Sequence, residues 1–235
     1  MVSFDREIII WANHFAQQSW TFDKIMVLLG SNHLIKGGVL LTIVWWGWFR
    51  NEDRNCNDRK QIISTMFACI VAMAMARGLA LALPFRLRPL HEASMQLVPP
   101  YGELPTALDG WSSFPSDTTV LFFTLATGLF FISKRAGIFA LVYTTLFIGI
   151  PRIYLCLHYP TDIIGGAVLG ITIAVLANYY LVRNKYTQSV VDWSYSKPGF
   201  FYPLLFLFTY QIADMFENSR ALVEGGLKFI KCLIC

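Results

Sequence analysis

An all-α, polytopic membrane bundle of about six transmembrane helices is the fold class that the sequence predicts, on three observations. Of the 235 residues, 55% are hydrophobic and only 14% are charged, against about a quarter charged in soluble domains. Residues 118–133, 136–151 and 163–182 carry no charge, and 61–85 carry only Arg77; such runs approach the roughly 20 apolar residues that cross a hydrocarbon core as a helix. Lysine and arginine, finally, concentrate in alternate loops. The chain is short enough to be read as a single membrane domain over 1–235.

Residues 3–31 read as one or two amphipathic helices. Phe4, Ile8, Trp11 and Phe15, then Phe22, Ile25, Met26 and Leu29, recur at helical spacing with charges between them, which suits a position in the membrane interface. Residues 1–32 are therefore expected to be interfacial, 33–213 to form the bundle and 214–235 to be a tail ending in another interfacial helix. The spans are expected at about 33–49, 61–84, 116–133, 136–151, 161–182 and 198–213. Trp45, Trp46 and Trp48 mark a headgroup boundary at the end of the first, and His33 and Lys36 at its start read as interface anchors. Between the second and third spans, 85–115 is polar and rich in Pro, Gly and Ser.

The loops set an orientation. Arg50, Arg54, Arg59 and Lys60, then Lys134 and Arg135, then Arg183, Lys185 and Lys197 fall on one side, which the positive-inside rule makes cytoplasmic. The other side receives 85–115 and 152–160, whose cations are Arg86, Arg88 and Arg152. No basic run interleaved with aromatics speaks for nucleic acid. The five cysteines are odd in number and scattered, which argues against a disulfide framework. Asp5, Arg6 and Glu7 before Ile8 are unlike the basic start of a cleavable signal.

Three arginines converging on one face call for an anion. Arginine offers a planar fork of donors that matches phosphate oxygens and stays charged. Pro115-Ser116-Asp117-Thr118 reads as a helix start, where a capping side chain and free backbone N–H groups can hold an anion. His158 and Asp162 are four residues apart. With the fifth helix beginning near Tyr159-Pro160, Asp162 is placed to hydrogen-bond one ring nitrogen and leave the other free to attack phosphorus.

These three elements, Arg86-Leu87-Arg88-Pro89, Pro115-Ser116-Asp117-Thr118 and Arg152-x5-His158-x3-Asp162, resemble in order and placement the motifs of the type 2 phosphatidic acid phosphatase superfamily. That family also includes glucose-6-phosphatase and vanadium haloperoxidases, and the resemblance covers roughly residues 20–183. It implies Arg88, Ser116 and Arg152 around a phosphate, to which the helix-start reading adds Asp117, with His158 as a nucleophile that forms a phosphohistidine and Asp162 as the carboxylate that orients it. It also implies chemistry without a metal or organic cofactor.

Three positions depart from the family pattern. Leu81 stands where the family has a phosphate-binding lysine. Arg77, one turn earlier, either reaches the phosphate across about 5–6 Å or pairs with a polar group between helices. Thr118 stands where a histidine donates a proton to the leaving oxygen, with Asp117 or His91 as nearby substitutes. Pro151 replaces a serine. Arg86 reads as an auxiliary cation or a headgroup anchor, and Glu103 and Asp109 as ordinary loop residues.

General acid help is typically about 100- to 10,000-fold, so its loss favours a substrate whose leaving group needs little protonation. A lipid diphosphate, polyprenyl diphosphate foremost, is the expected substrate for a phosphatase or phosphotransferase facing the exterior of a bacterial plasma membrane in envelope glycan or lipid metabolism. The alternative is a catalytically impaired lipid-phosphate binder that assists envelope polysaccharide or glycolipid assembly.

Overall fold

A computed structural model describes residues 3–50 and 55–218. Arg54 and the expected C-terminal interfacial helix beyond 218 lie outside the described residues. Among the described residues all regular structure is helical, as the composition predicts.

Two short helices open the chain, α1 (Ser3–Asn13) and α2 (Trp20–Ser31). The Ser19 hydroxyl caps α2 by accepting from the Phe22 N–H. The buried face of α1 is Asp5, Ile9 and Ala12, at i, i+4, i+7, while Phe4, Trp11 and Phe15 stay exposed. A π-helical turn, Leu34–Gly38, leads into α3 (Val39–Phe49). Then come α4 (Asn55–Ala82), the polar segment with two short 3-10 turns, and α5 (Asp117–Ile132). Next, α6 (Lys134–Tyr143), a π-helical turn (Thr144–Gly149) and α7 (Ile150–Tyr154) form one 21-residue apolar rod. The chain continues through α8 (Pro160–Leu181), α9 (Lys185–Ser196) and α10 (Pro198–Ala213).

Among the described residues three helices are long and apolar enough to cross a membrane: Cys56–Ala82, Lys134–Tyr154 and Pro160–Leu181. A fourth span arises if Trp20–Ser31 and Leu34–Phe49, which meet at a 63° bend, are taken together. The other two expected spans form 16-residue helices, α5 and α10. A short α5 suffices because protein, and little lipid, surrounds it: Asp117, Phe130 and Phe131 are its only residues not fully buried. The expected loop 183–197 instead forms α9, because the Asn184 side chain caps it by accepting from Tyr186 N–H and Thr187, Val191 and Ser194 form a buried stripe.

Lipid tails are as apolar as leucine, so helices in a bilayer associate through close packing rather than water exclusion. The α5–α8 contact shows how. A Cβ on Gly170 would stand 2.4 Å from the Val120 carbonyl oxygen, and one on Gly166 would stand 3.0 Å from that of Ser116. The Thr124 hydroxyl crosses the same seam to donate to the Gly170 carbonyl, at 3.1 Å. This approach sets the starts of α5 and α8 side by side, with Ser116 N–H 3.4 Å from the Asp162 carbonyl. On the other flank of α5, Leu121, Phe122, Leu125 and Leu129 pack into the main apolar core with Leu40, Trp48, Ile62 and Phe201.

The cation-rich loops gather at the far end of the bundle. Arg50 donates to the Ile132 carbonyl at 3.3 Å and pairs with Asp58 at 3.5 Å, while Arg59 lies over Trp48 and Tyr195. The polar segment 85–115 and the linker 155–159 close the opposite end. The tight seam generates a testable contrast. Gly170→Ala is expected to destabilise by about 1–3 kcal/mol through overpacking, seen as a lower melting temperature in detergent. Gly78→Ala has open space around its new methyl and is expected to be neutral or stabilising by up to about 1 kcal/mol.

Candidate functional site

The site is assembled where 85–115 folds over the starts of α5 and α8. Arg88, 5% exposed, ties the pieces together. Its Nε donates to the Trp111 carbonyl at 3.1 Å, Nη2 to the Ser112 carbonyl at 3.3 Å, and Nη1 to the Leu157 carbonyl at 2.8 Å. Nη1 also lies 3.1 Å from His158 Nε2. Burial pulls this guanidinium down to about 10, which leaves it charged at neutral pH.

That last contact fixes the state of the histidine. Arginine has only donors, so Nε2 accepts and carries a lone pair. The proton then sits on Nδ1, which donates to the Ser113 carbonyl at 2.9 Å. His158 is 1% exposed. Burial, reinforced by the nearby charges of Arg88 and Arg152, holds the ring below the ordinary imidazole range against the opposing pull of Asp162.

The expected direct hydrogen bond between Asp162 and His158 is replaced by an indirect link. The carboxylate lies 3.7 Å from Nδ1. As the third residue of α8, it is drawn instead to its own helix start, where Oδ2 accepts from Tyr159 N–H at 2.8 Å. The same oxygen accepts from the Ser113 hydroxyl at 2.5 Å. Ser113 therefore holds the ring with its carbonyl and the carboxylate with its hydroxyl. Behind Asp162, Arg86 bonds Oδ1 at 2.5 Å, stacks over Tyr159, and reaches Asp5 at 2.6 Å. Asp5 is fully buried and also accepts from the Thr161 N–H and hydroxyl. Arg86 is thus an internal tie rather than a headgroup anchor.

In front of His158 lies a cavity of about 620 Å³. Arg77, Arg88, Asp117, Thr118, Arg152 and His158 line it. Arg152 Nη2 donates to the Thr118 hydroxyl at 2.9 Å, and its buried Nε has no hydrogen-bond partner among the described residues. Arg77 lines the cavity and pairs with Asp117 at 2.5 Å, lying over the Trp111 ring. Asp117 is committed to that ion pair, which argues against it as a proton donor.

Other expected residues stand off the cavity. The Ser116 hydroxyl is fully buried in the start of α5, where it accepts from Thr119 N–H and from the Thr119 hydroxyl at 2.9 Å. The His91 ring is tied to the Ala107 carbonyl at 3.0 Å. Leu81 is 88% exposed, turned away from the bundle.

The structure also brings in residues that the motifs do not contain. Lys36, expected to anchor at the interface, is 3% exposed and lines the cavity. Glu103, expected to be an ordinary loop residue, lines it too. Burial holds its carboxyl above the ordinary range while Arg152 pulls the other way. The local signal for Lys36 is the glycine after it: a Cβ on Gly37 would stand 2.4 Å from Ala213 Cα. The π-helical turn is thus pressed against α10, with Lys36 directed inward.

A neutral imidazole with an unprotonated Nε2, in contact with the buried Arg88 and sharing a cavity with Arg152, suits nucleophilic attack on a phosphoryl group or its capture as an anion. The comparisons agree with that chemistry. The PAP2 superfamily model matches residues 83–186, the segment that holds all three motifs. The chain is 42% identical over 64 residues to the bacitracin transport permease protein BcrC of Bacillus licheniformis, covering 27% of this chain and 31% of that protein. It is 26% identical over 155 residues to the undecaprenyl-diphosphatase BcrC of Bacillus subtilis (strain 168), covering 66% and 72%. The first match thus spans less than a third of that relative's length. No solved structure gives a significant match. With its apolar helices this is a membrane protein, and over residues 83–186 the chain is similar to the PAP2 superfamily.

Proposed function

We propose that the chain is a phosphatase for polyprenyl diphosphate or a closely related lipid diphosphate, working through a phosphohistidine on His158. The observation that carries this reading is the tautomer of His158: Nδ1–H donates to the Ser113 carbonyl, and Nε2, whose lone pair accepts from Arg88, belongs to a ring at the wall of the cavity that Arg88 and Arg152 also line, so that attack on phosphorus goes with transfer of the Arg88 N–H hydrogen bond to a phosphoryl oxygen. The undecaprenyl-diphosphatase relative supplies the substrate class. In the first step Nε2 bonds to the terminal phosphorus and the bond to the bridging oxygen breaks, releasing a lipid monophosphate. The two arginines neutralise charge on the equatorial oxygens, and Asp162 offsets the positive charge that the ring acquires. Water then attacks the phosphohistidine and inorganic phosphate leaves. The site opens at the end of the bundle opposite the cation-rich loops, which supports an active site on the outer face of a bacterial plasma membrane.

Thr118 favours a second reading, a lipid-phosphate holder that assists envelope assembly without turnover, since its hydroxyl is no useful acid. The tautomer-fixed histidine speaks for the enzyme, because a holder has no need of a nucleophile.

His158→Ala is expected to lower phosphate release from a prenyl diphosphate by at least about 1,000-fold; unchanged release would remove this mechanism. The pH dependence follows from the depressed imidazole. The neutral, reactive form persists until pH falls through the folded value, so the acid limb of kcat/KM is expected below about pH 6.5, the ordinary value for histidine. An acid limb above that value would contradict the assignment. Thr118→His is expected to raise turnover of lipid monophosphates by about 100- to 10,000-fold and that of diphosphates much less; equal gains on both would refute the leaving-group argument.

A further inference from the structure

Four cations face the cavity: Lys36, Arg77, Arg88 and Arg152. Arg77 is neutralised by Asp117, and the donors of Arg88 end on carbonyl groups and His158. Lys36 differs from these. It is 3% exposed, yet no described residue takes a hydrogen bond or ion pair from its ammonium. A lysine whose stem is buried and whose ammonium faces a cavity without a hydrogen-bonding partner is placed to meet an anion there.

Its place in the cavity is distinct. Arg88 stands 3.1 Å from His158, beside the linker before α8. Arg152 donates to the Thr118 hydroxyl, which lies 3.6 Å from Met215 Sδ just beyond α10, and Gly37, next to Lys36, packs on Ala213 at the end of α10. Along the cavity the positive groups therefore run in the order Arg88, Arg152, Lys36. A single phosphoryl group bound against His158 occupies the Arg88–Arg152 end. A second phosphate, continuing along the cavity, meets Lys36.

We propose that Lys36 is a specificity-determining residue that holds the second phosphate of a lipid diphosphate, the one that remains on the lipid. This rests on His158 as the nucleophile. As Nε2 bonds to the terminal phosphorus, the phosphorus–bridging-oxygen bond breaks and its electron pair stays on the bridging oxygen. The departing lipid monophosphate gains one negative charge, and the Lys36 ammonium neutralises it without transferring a proton. The function of the lysine missing at Leu81 and of the acid missing at Thr118 is thereby met from the first span.

The test uses the full chain in detergent micelles with Lys36→Met and Lys36→Arg. Inorganic pyrophosphate is expected to raise the melting temperature of the unaltered protein more than equimolar phosphate does. Lys36→Met is expected to lose that excess and Lys36→Arg to retain it, with all three proteins melting within a few degrees when no ligand is added. In turnover, Lys36→Met is expected to lower kcat/KM about 10- to 100-fold on a prenyl diphosphate, the scale of one charged hydrogen bond. On p-nitrophenyl phosphate, which has a good leaving group but no second phosphate, it is expected to change less than about 3-fold. Equal losses on both substrates, or no pyrophosphate preference in the unaltered protein, would overturn the assignment even if hydrolysis proceeds. A Lys36-dependent pyrophosphate preference without turnover of either substrate would uphold it while removing the hydrolase reading.

Discussion

A guanidinium placed at the edge of a bilayer must find acceptors or pull water in with it. Arg88 finds them in the backbone of two separate segments, at Trp111 and Ser112 on one side and Leu157 on the other. It thereby fastens the long polar segment onto the linker before α8, and the remaining features of the site follow from that fastening. Ser113 is brought over His158, the proton is assigned to Nδ1, and Nε2 is left as an acceptor for Arg88. One charged side chain supplies architecture and tautomer together, and on the proposed reading it binds the phosphate as well. Its substitution would therefore be a poor probe of any one of these.

Much of this was legible in the residues. The uncharged runs located the bundle, and Pro160 after Tyr159 located the start of α8. The i, i+4 spacing of His158 and Asp162 correctly placed both at that start. It did not foresee that a carboxylate at the third helical position would turn to the free N–H of Tyr159. Ser113 was beyond reach because a lone serine in a polar loop carries no pattern. Asp5 was beyond reach for a different reason: its partner Arg86 is 81 positions away, and local periodicity reports only which face of α1 is apolar. Lys36 was misread because a lysine beginning an apolar run has the same local signature whether it reaches for headgroups or points into a cavity. Only the packing of Gly37 on Ala213 separates the two.

On the proposed reading, the site meets the loss of a proton donor with a fixed cation. Protonating a leaving oxygen and neutralising its charge with a fixed cation address the same developing electron density. The first suits a strongly basic alkoxide. The second suffices where the departing group is already an anion stabilised by its own phosphorus. Exchanging one for the other narrows the range of substrates while keeping the nucleophile and the two arginines in place.

The family match begins at residue 83, downstream of both Asp5 and Lys36. Asp5 nonetheless braces the arginine that bonds the Asp162 carboxylate, and Lys36 forms part of the cavity wall. The matched segment therefore does not by itself contain the whole cavity wall or its bracing. Two chains with indistinguishable motifs can differ in what they accept because of helices that motif comparison passes over, so transferring a substrate from one relative to another requires inspection of the first span as well as the three motifs.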